Sequence, residues 1–125
     1  MKANTRRGDW AELCFMARAT ELQLHVSKPW GNAYRYDVGI ECGGKLLRVQ
    51  VKCTTHKCSG GKAYLCTTRP HRTIGGGYTG KEIDYLAVYI IPENIWYIFP
   101  SRVFAKMTWS VYLRPHAKAH KYARY

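Results

Sequence analysis

Apolar and polar residues alternate most regularly between Leu46 and Thr55, where Leu47, Val49, Val51 and Cys53 interleave with Arg48, Gln50, Lys52 and Thr54. Successive side chains of a strand point to opposite faces, so this run predicts a strand with one apolar and one polar side. Upstream, "YRYDVGIE" reads as a partner strand from Tyr34 to Glu41, and "CGGK" between them as a hairpin turn. Gly-Gly suits such a turn because both central residues can take positive φ. Ala63 to Thr68 predicts a third strand. Ile83 to Ile91 is a nearly continuous apolar run, as expected of a central strand buried on both faces. Pro92 to Asn94 turn the chain into a fifth strand, Ile95 to Phe99.

Helical periodicity occurs in two places. From Asp9 to about Leu24, Trp10, Leu13, Cys14 and Ala17 share a face, while Phe15, Met16 and Ala19 add apolar surface elsewhere. Asp9 has the chemistry of an N-cap, and Glu12 three residues on completes a capping-box pattern. Ser101 is the expected cap of a short helix containing Val103, Phe104 and Met107. The linking segments read as loops: "SKPWGN" (Ser27 to Asn32), "HKCSGGK" (His56 to Lys62) and the glycine-rich, basic Arg69 to Lys81. "TWSVYLR" is a further strand or an extended arm, and the residues after it form a basic, aromatic tail. The expected architecture is α+β in one domain over 1–125: an N-terminal helix on a mainly antiparallel or mixed five-stranded sheet, with a short helix following. The core is expected over about 8–107 and the tail over 108–125.

Charge changes the picture more than composition does. Of 125 residues, 46% are hydrophobic and 22% charged, as in a globular domain. The formal net charge of +12 favours polyanionic partners. No apolar run approaches the ~20 residues that span a bilayer, and "MKANTRRGDW" lacks the apolar core of a signal peptide. Five cysteines, an odd number, then suit free thiols in a reducing compartment, and a cytoplasmic location is expected. "CTTHKC" brings Cys53, His56 and Cys58 close in sequence, but no second ligand cluster completes a structural zinc site.

The hairpin carries the candidate chemistry. With Gly43 and Gly44 as its loop, Cys42 pairs with Lys45, Ile40 faces Leu47 and Asp37 faces Gln50. Opposed residues share a face, so Asp37, Gln50 and Lys52 should cluster. A one-residue slip would turn Asp37 inward, but Val38 and Ile40 alternate with it as core positions. Two uses fit such a cluster. One is an ordinary strand whose Asp37 and Lys52 form a salt bridge on a solvated face. The other is a hard-cation site, where a carboxylate, an amide oxygen, a backbone carbonyl and water are the ligands magnesium prefers. A lysine beside them suits phosphoryl chemistry, in which charge grows on oxygen in the transition state.

The sequence "GDWAE" with Glu12, "YRYD" ending in Asp37, "LRVQVK" with Gln50 and Lys52, and "EIDYLAVY" followed by "WYIFPS" together resemble the PD-(D/E)XK nuclease superfamily. The resemblance covers about Gly8 to Val103 and is nearest to small bacterial homing endonucleases of group I introns, in the variant where Gln-x-Lys replaces an acid-x-Lys. It implies a restriction-endonuclease-like core and a magnesium-dependent endodeoxyribonuclease, with manganese as an expected substitute. It implies Glu12, Asp37, Gln50 and the Val51 carbonyl as metal ligands. Lys52 becomes the group that orients the attacking water or stabilises the charged transition state. Gln50 departs from the commoner acid and leaves two carboxylates; an amide cannot act as a base. The capping-box role for Glu12 stays open beside the catalytic one. Asp84, at the start of a buried strand, reads as a structural cap or a partner for Arg or Lys.

Arg35, Arg48, Lys57, Lys62, Arg69, Arg72 and Lys81 are the candidate DNA contacts, since basic side chains neutralise phosphates without reading sequence. In the tail, Lys118, Lys121 and Arg124 among Tyr122 and Tyr125 combine charge with stacking surface. Cutting both strands of a duplex needs two active sites, so a homo-oligomer, dimer or tetramer, is expected. Tyr85, Tyr89, Trp96, Trp109 and Tyr112 are available for its interface or for the core. The rival readings are a structure-specific nuclease of the junction-resolvase type, a DNA-binding module without catalysis, and an RNA-binding protein.

Overall fold

A computed structural model of the chain describes residues 3–31, 33–68, 81–107 and 110–116. Helix α1 spans Ala3–Glu21. It begins six residues before Asp9, so Asp9 is an interior helical residue and the expected capping box with Glu12 does not exist. Among residues 3–8 only Gly8 strongly disfavours helix, at a cost of about 1 kcal/mol, which an otherwise continuous helix absorbs. The helix also ends earlier than Leu24. Gln23 takes φ of 64°, its N–H bonds the Thr20 carbonyl, and the Leu24 N–H bonds the Ala19 carbonyl. That is a Schellman ending, with a left-handed residue just past the last turn.

The main sheet has the order β1 (His25–Ser27), β2 (Val38–Cys42), β3 (Lys45–Thr54), β6 (Tyr85–Ile90) and β7 (Ile95–Pro100). Strand β1 (His25–Ser27) fills the gap between the expected helix and the loop expected from Ser27; three residues give too short a pattern to read. Strand β2 is Val38–Cys42, shorter than predicted because Tyr34 to Asp37 lie outside its ladder, and β3 is Lys45–Thr54. Cys42 pairs with Lys45 and Ile40 with Leu47, as the two-residue turn requires. Gly43 and Gly44 sit at φ of 58° and 78°, the left-handed pair of such a turn. Strand β6 (Tyr85–Ile90) lies at the centre, parallel to β3 and antiparallel to β7 (Ile95–Pro100).

Parallel neighbours need a long crossover. Here it contains β4 (Lys57–Cys58) and β5 (Ala63–Thr67), which with β8 (Ser110–Leu113) make a second, three-stranded sheet. The Ala63 strand therefore lies outside the main sheet, and part of "HKCSGGK" is a strand rather than loop. Helix α2 covers Ser101–Phe104, with Pro100 in the capping position and Ser101 as its first helical residue. The Ser101 hydroxyl is thus one position too late to cap.

Two apolar layers result. Val38, Ile40, Val49, Val51, Ala87, Tyr89 and Trp96 pack with Ala11 and Ala19 of α1. On the opposite face, Leu86, Val88, Ile90, Tyr97 and Phe99 pack with Tyr64, Cys66, Val111 and Leu113 of the small sheet and Phe104 of α2. Tyr89 and Trp96 stack at 4.4 Å inside the first layer, which makes them core. Tyr85 is half-buried, Tyr112 is exposed, and Trp109 lies outside the described residues. No helix among the described residues is long and apolar enough to cross a membrane.

Candidate active site

The site lies where β2 gives out and β3 continues. The β2–β3 ladder begins at Val38 opposite Val49, so Gln50 to Thr54 run on without β2 beside them. Asp37 stands at the end of that ladder. Its N–H donates to the Val49 carbonyl at 2.9 Å, and its Oδ2 accepts the Val51 N–H at 2.9 Å. The carboxylate thus takes an N–H that a longer β2 would have met with its backbone. In a strand, one residue's N–H and C=O point to the same side. The Val51 carbonyl therefore faces the same notch as the N–H held by Asp37.

Gln50 and Lys52 lie beside Leu86 and Val88 of β6, on the face covered by the small sheet. The reading of an ordinary strand with its polar side in water fails here. Lys52 is half-buried, and burial lowers its pKa against the smaller opposing pull of Cys66, Asp37 and Cys53. Burial pushes the Cys66 thiol up to about 12, so it stays protonated next to the lysine.

Glu12 approaches from the other side of the sheet, from the middle of α1. Its Oε1 accepts a hydrogen bond from Lys28 Nζ at 2.8 Å. Glu12 and Lys28 both act electrostatically on Asp37, as does Lys52. Asp9, one turn before Glu12, acts on Lys28 as well. Asp37 is raised from its ordinary 3.8 to about 6, chiefly because it is buried. The neighbouring Glu12 charge raises it further, while the Val51 N–H, Lys52 and Lys28 pull it down. A cation beside Asp37 would relieve both its burial and the repulsion from Glu12.

Lys28 is the residue that sequence reasoning missed. Its position one residue past β1 gave no signal, because it fell in the expected loop from Ser27 to Asn32. Glu12 and Lys52 both lie within electrostatic reach of Asp37, and Gln50 stands half-buried on β3, two residues before Lys52. Among the described residues, no group of three or more His, Cys, Asp and Glu side chains is placed to hold a metal. The available donors here are two carboxylates, the Gln50 amide oxygen and the Val51 carbonyl. An all-oxygen set with few charges suits a hard, partly hydrated cation such as magnesium, and does not suit zinc.

Several candidate DNA contacts are engaged within the protein. Arg48 grips Asp84 through Nε at 3.0 Å and Nη2 at 3.2 Å, and its backbone N–H donates to the same carboxylate at 2.8 Å. Asp84 is thus the arginine partner that its strand-end position suggested. Arg48 Nη1 also donates to the Lys81 carbonyl at 2.6 Å. Arg35 pairs with Glu82 at 2.6 Å. Lys57 lies over the Tyr64 ring, and Lys62 is exposed. Arg69, Arg72 and the tail residues Lys118, Lys121, Tyr122, Arg124 and Tyr125 lie outside the described residues.

An acid at a strand end, a Gln-x-Lys pair on the adjoining strand and a helical Glu, set on a mixed sheet, define a nuclease of the PD-(D/E)XK class. The sequence matches the PD-(D/E)XK endonuclease family over residues 2–124, and the chain belongs to that family. Among solved structures it is similar to a bacterial homing endonuclease, I-Ssp6803I, with a TM-score of 0.78 and 26% sequence identity. That match covers 98% of this chain and 83% of the homing endonuclease. No curated protein matches the sequence.

Proposed function

We propose that this nuclease is a magnesium-dependent endonuclease that hydrolyses phosphodiester bonds of double-stranded DNA, in the manner of a homing endonuclease. The observation that supports the reading is Asp37 at the end of the β2–β3 ladder, bound to the Val51 N–H at 2.9 Å with Glu12 and Lys52 in electrostatic reach. Glu12, Asp37, Gln50 and the Val51 carbonyl would hold the cation, which when bound supplies Lewis-acid stabilisation of charge on phosphate oxygens. Lys52 places a positive charge where the phosphoryl oxygens gain negative charge. Its partial burial lowers its pKa, and Lys52 would be the group to exchange a proton with the attacking water. Gln50 cannot take a proton, so that exchange falls to Lys52 or to solvent.

The net charge of +12 brings the polyanion to the site. A chain with one such site cuts both strands as a dimer or tetramer, and a cytoplasmic setting suits its free cysteines. Gln50 in place of an acid favours one second reading, a DNA-binding module that has lost catalysis. Incubating the protein with supercoiled and linear duplex DNA under magnesium, manganese or chelator separates the two. Cutting that needs the metal, and that Lys52→Ala reduces by at least about 100-fold with DNA affinity retained, is the expected result. Binding without cutting under either metal favours the module. Preference for four-way junctions over linear duplex marks a resolvase, and stronger competition by RNA than by DNA marks an RNA-binding protein.

A further inference from the structure

The geometry points to Lys28 as a positioning residue of the site: its ammonium holds the Glu12 carboxylate toward Asp37 and competes with the divalent cation for the same oxygen. The inference rests on the cation-binding reading above. Three observations carry it. Lys28 Nζ lies 2.8 Å from Glu12 Oε1, closer than any other charged partner found for Glu12 among the described residues. Lys28 is also within electrostatic reach of Asp37 and Asp9, so it faces a concentration of negative charge rather than one surface acid. It emerges one residue past β1, whose Ser27 is fixed opposite Gly39 in the sheet. A side chain added at Gly39 would meet Ser27 Oγ at 2.6 Å, so the Ser27 side chain packs directly over Gly39.

Charge balance shows what this does. Glu12 and Asp37 carry two negative charges, and Lys28 and Lys52 carry two positive ones. With Gln50 adding none, the four side chains are neutral before a cation arrives. A divalent ion must therefore displace or share with an ammonium to reach Glu12. Lys28, with a side chain 51% exposed, has room to shift and share the Glu12 carboxylate with the cation, whereas Lys52 is half-buried. The same contact that weakens cation binding restricts the Glu12 rotamers, since a paired carboxylate on a helix has fewer orientations open to it.

Manganese binding to the DNA-free protein, read from the paramagnetic resonance of unbound Mn2+, tests the inference without relying on turnover. Lys28→Met should bind Mn2+ about two- to fivefold more tightly than wild type, the size of a half-exposed ion pair. At saturating metal its cleavage rate should fall about three- to tenfold, because Glu12 is less well held, and Lys28→Arg should recover most of the rate. Equal or weaker Mn2+ affinity in Lys28→Met overturns the competition. An unchanged rate at saturating metal overturns the positioning. If wild type binds no Mn2+, this inference falls together with the metal assignment; if wild type binds it and the variant matches, Lys28 alone was misread. Thermal unfolding of all three proteins separates these effects from loss of fold.

Discussion

Replacing Asp37 with asparagine should make the metal-free protein more stable while removing its activity. The oxygen of the introduced amide can still accept the Val51 N–H, so the backbone contact at 2.9 Å survives while the charge goes. Asp37 sits at about 6 in the folded protein against an ordinary 3.8, raised first by burial and then by Glu12. A folded-state value above the unfolded one means stability is fully present below the unfolded value and lost as pH rises through the folded one. At pH 7.5 the ionised carboxylate therefore costs roughly 3 kcal/mol, at ~1.4 kcal/mol for each tenfold. That cost already contains the preference of the Val51 N–H for the ionised carboxylate, and a neutral amide accepts about as well as a neutral carboxyl. A net gain of about 2–3 kcal/mol is expected, equal to a rise of several degrees in Tm for a domain this size. Urea unfolding in chelator at pH 7.5 and at pH 3.5 measures it. The gain should be present at pH 7.5 and vanish at pH 3.5, and magnesium should narrow it by stabilising wild type alone. A variant that is no more stable at pH 7.5, or one equally favoured at both pH values, would refute the picture of a carboxylate held at a cost to the fold.

Two further substitutions separate roles. Gln50→Glu restores a third acid beside Asp37. The half-saturating magnesium for cleavage should fall about three- to tenfold, and metal-free stability should also fall, because another negative charge raises Asp37 further. Arg48→Ala removes both side-chain contacts to half-buried Asp84 and should cost about 1–3 kcal/mol in urea unfolding at pH 7. Arg48 holds Asp84 below its ordinary 3.8, so this loss should shrink as pH falls from 3.8 through that lowered value, below which Asp84 is protonated in wild type as well. A fall in DNA affinity with unchanged stability would instead make Arg48 a phosphate contact.

How much of the site could be read in advance differs residue by residue. Asp37, Gln50 and Lys52 were legible because one Gly-Gly turn fixes a short-range register, and counting outward from it needs no tertiary knowledge. Glu12 was visible as a helical acid, but its local pattern with Asp9 looked like a cap, and only the true helix start at Ala3 removes that role. Lys28 had no local signature at all. The burial of Lys52 was likewise hidden, because strand alternation marks its face as polar and does not say what will cover it. Arg48 and Arg35 looked like free surface charge until the fold brought Asp84 and Glu82 to them.

By itself the sequence determined the hairpin, the central apolar strand, the excess of positive charge and the kinds of oxygen donor near one another. These follow from periodicity, turn stereochemistry and residue chemistry, all of which act over a few neighbouring positions. The tertiary structure decided that β3 and β6 run parallel, that the intervening segment folds into a second sheet over Lys52, and that β2 begins only one residue after Asp37. It also brought α1 and the residue after β1 to the same notch. Those facts depend on packing between segments far apart in the chain, where the driving force is burial of whole faces. No short stretch of residues encodes which distant face will do the burying.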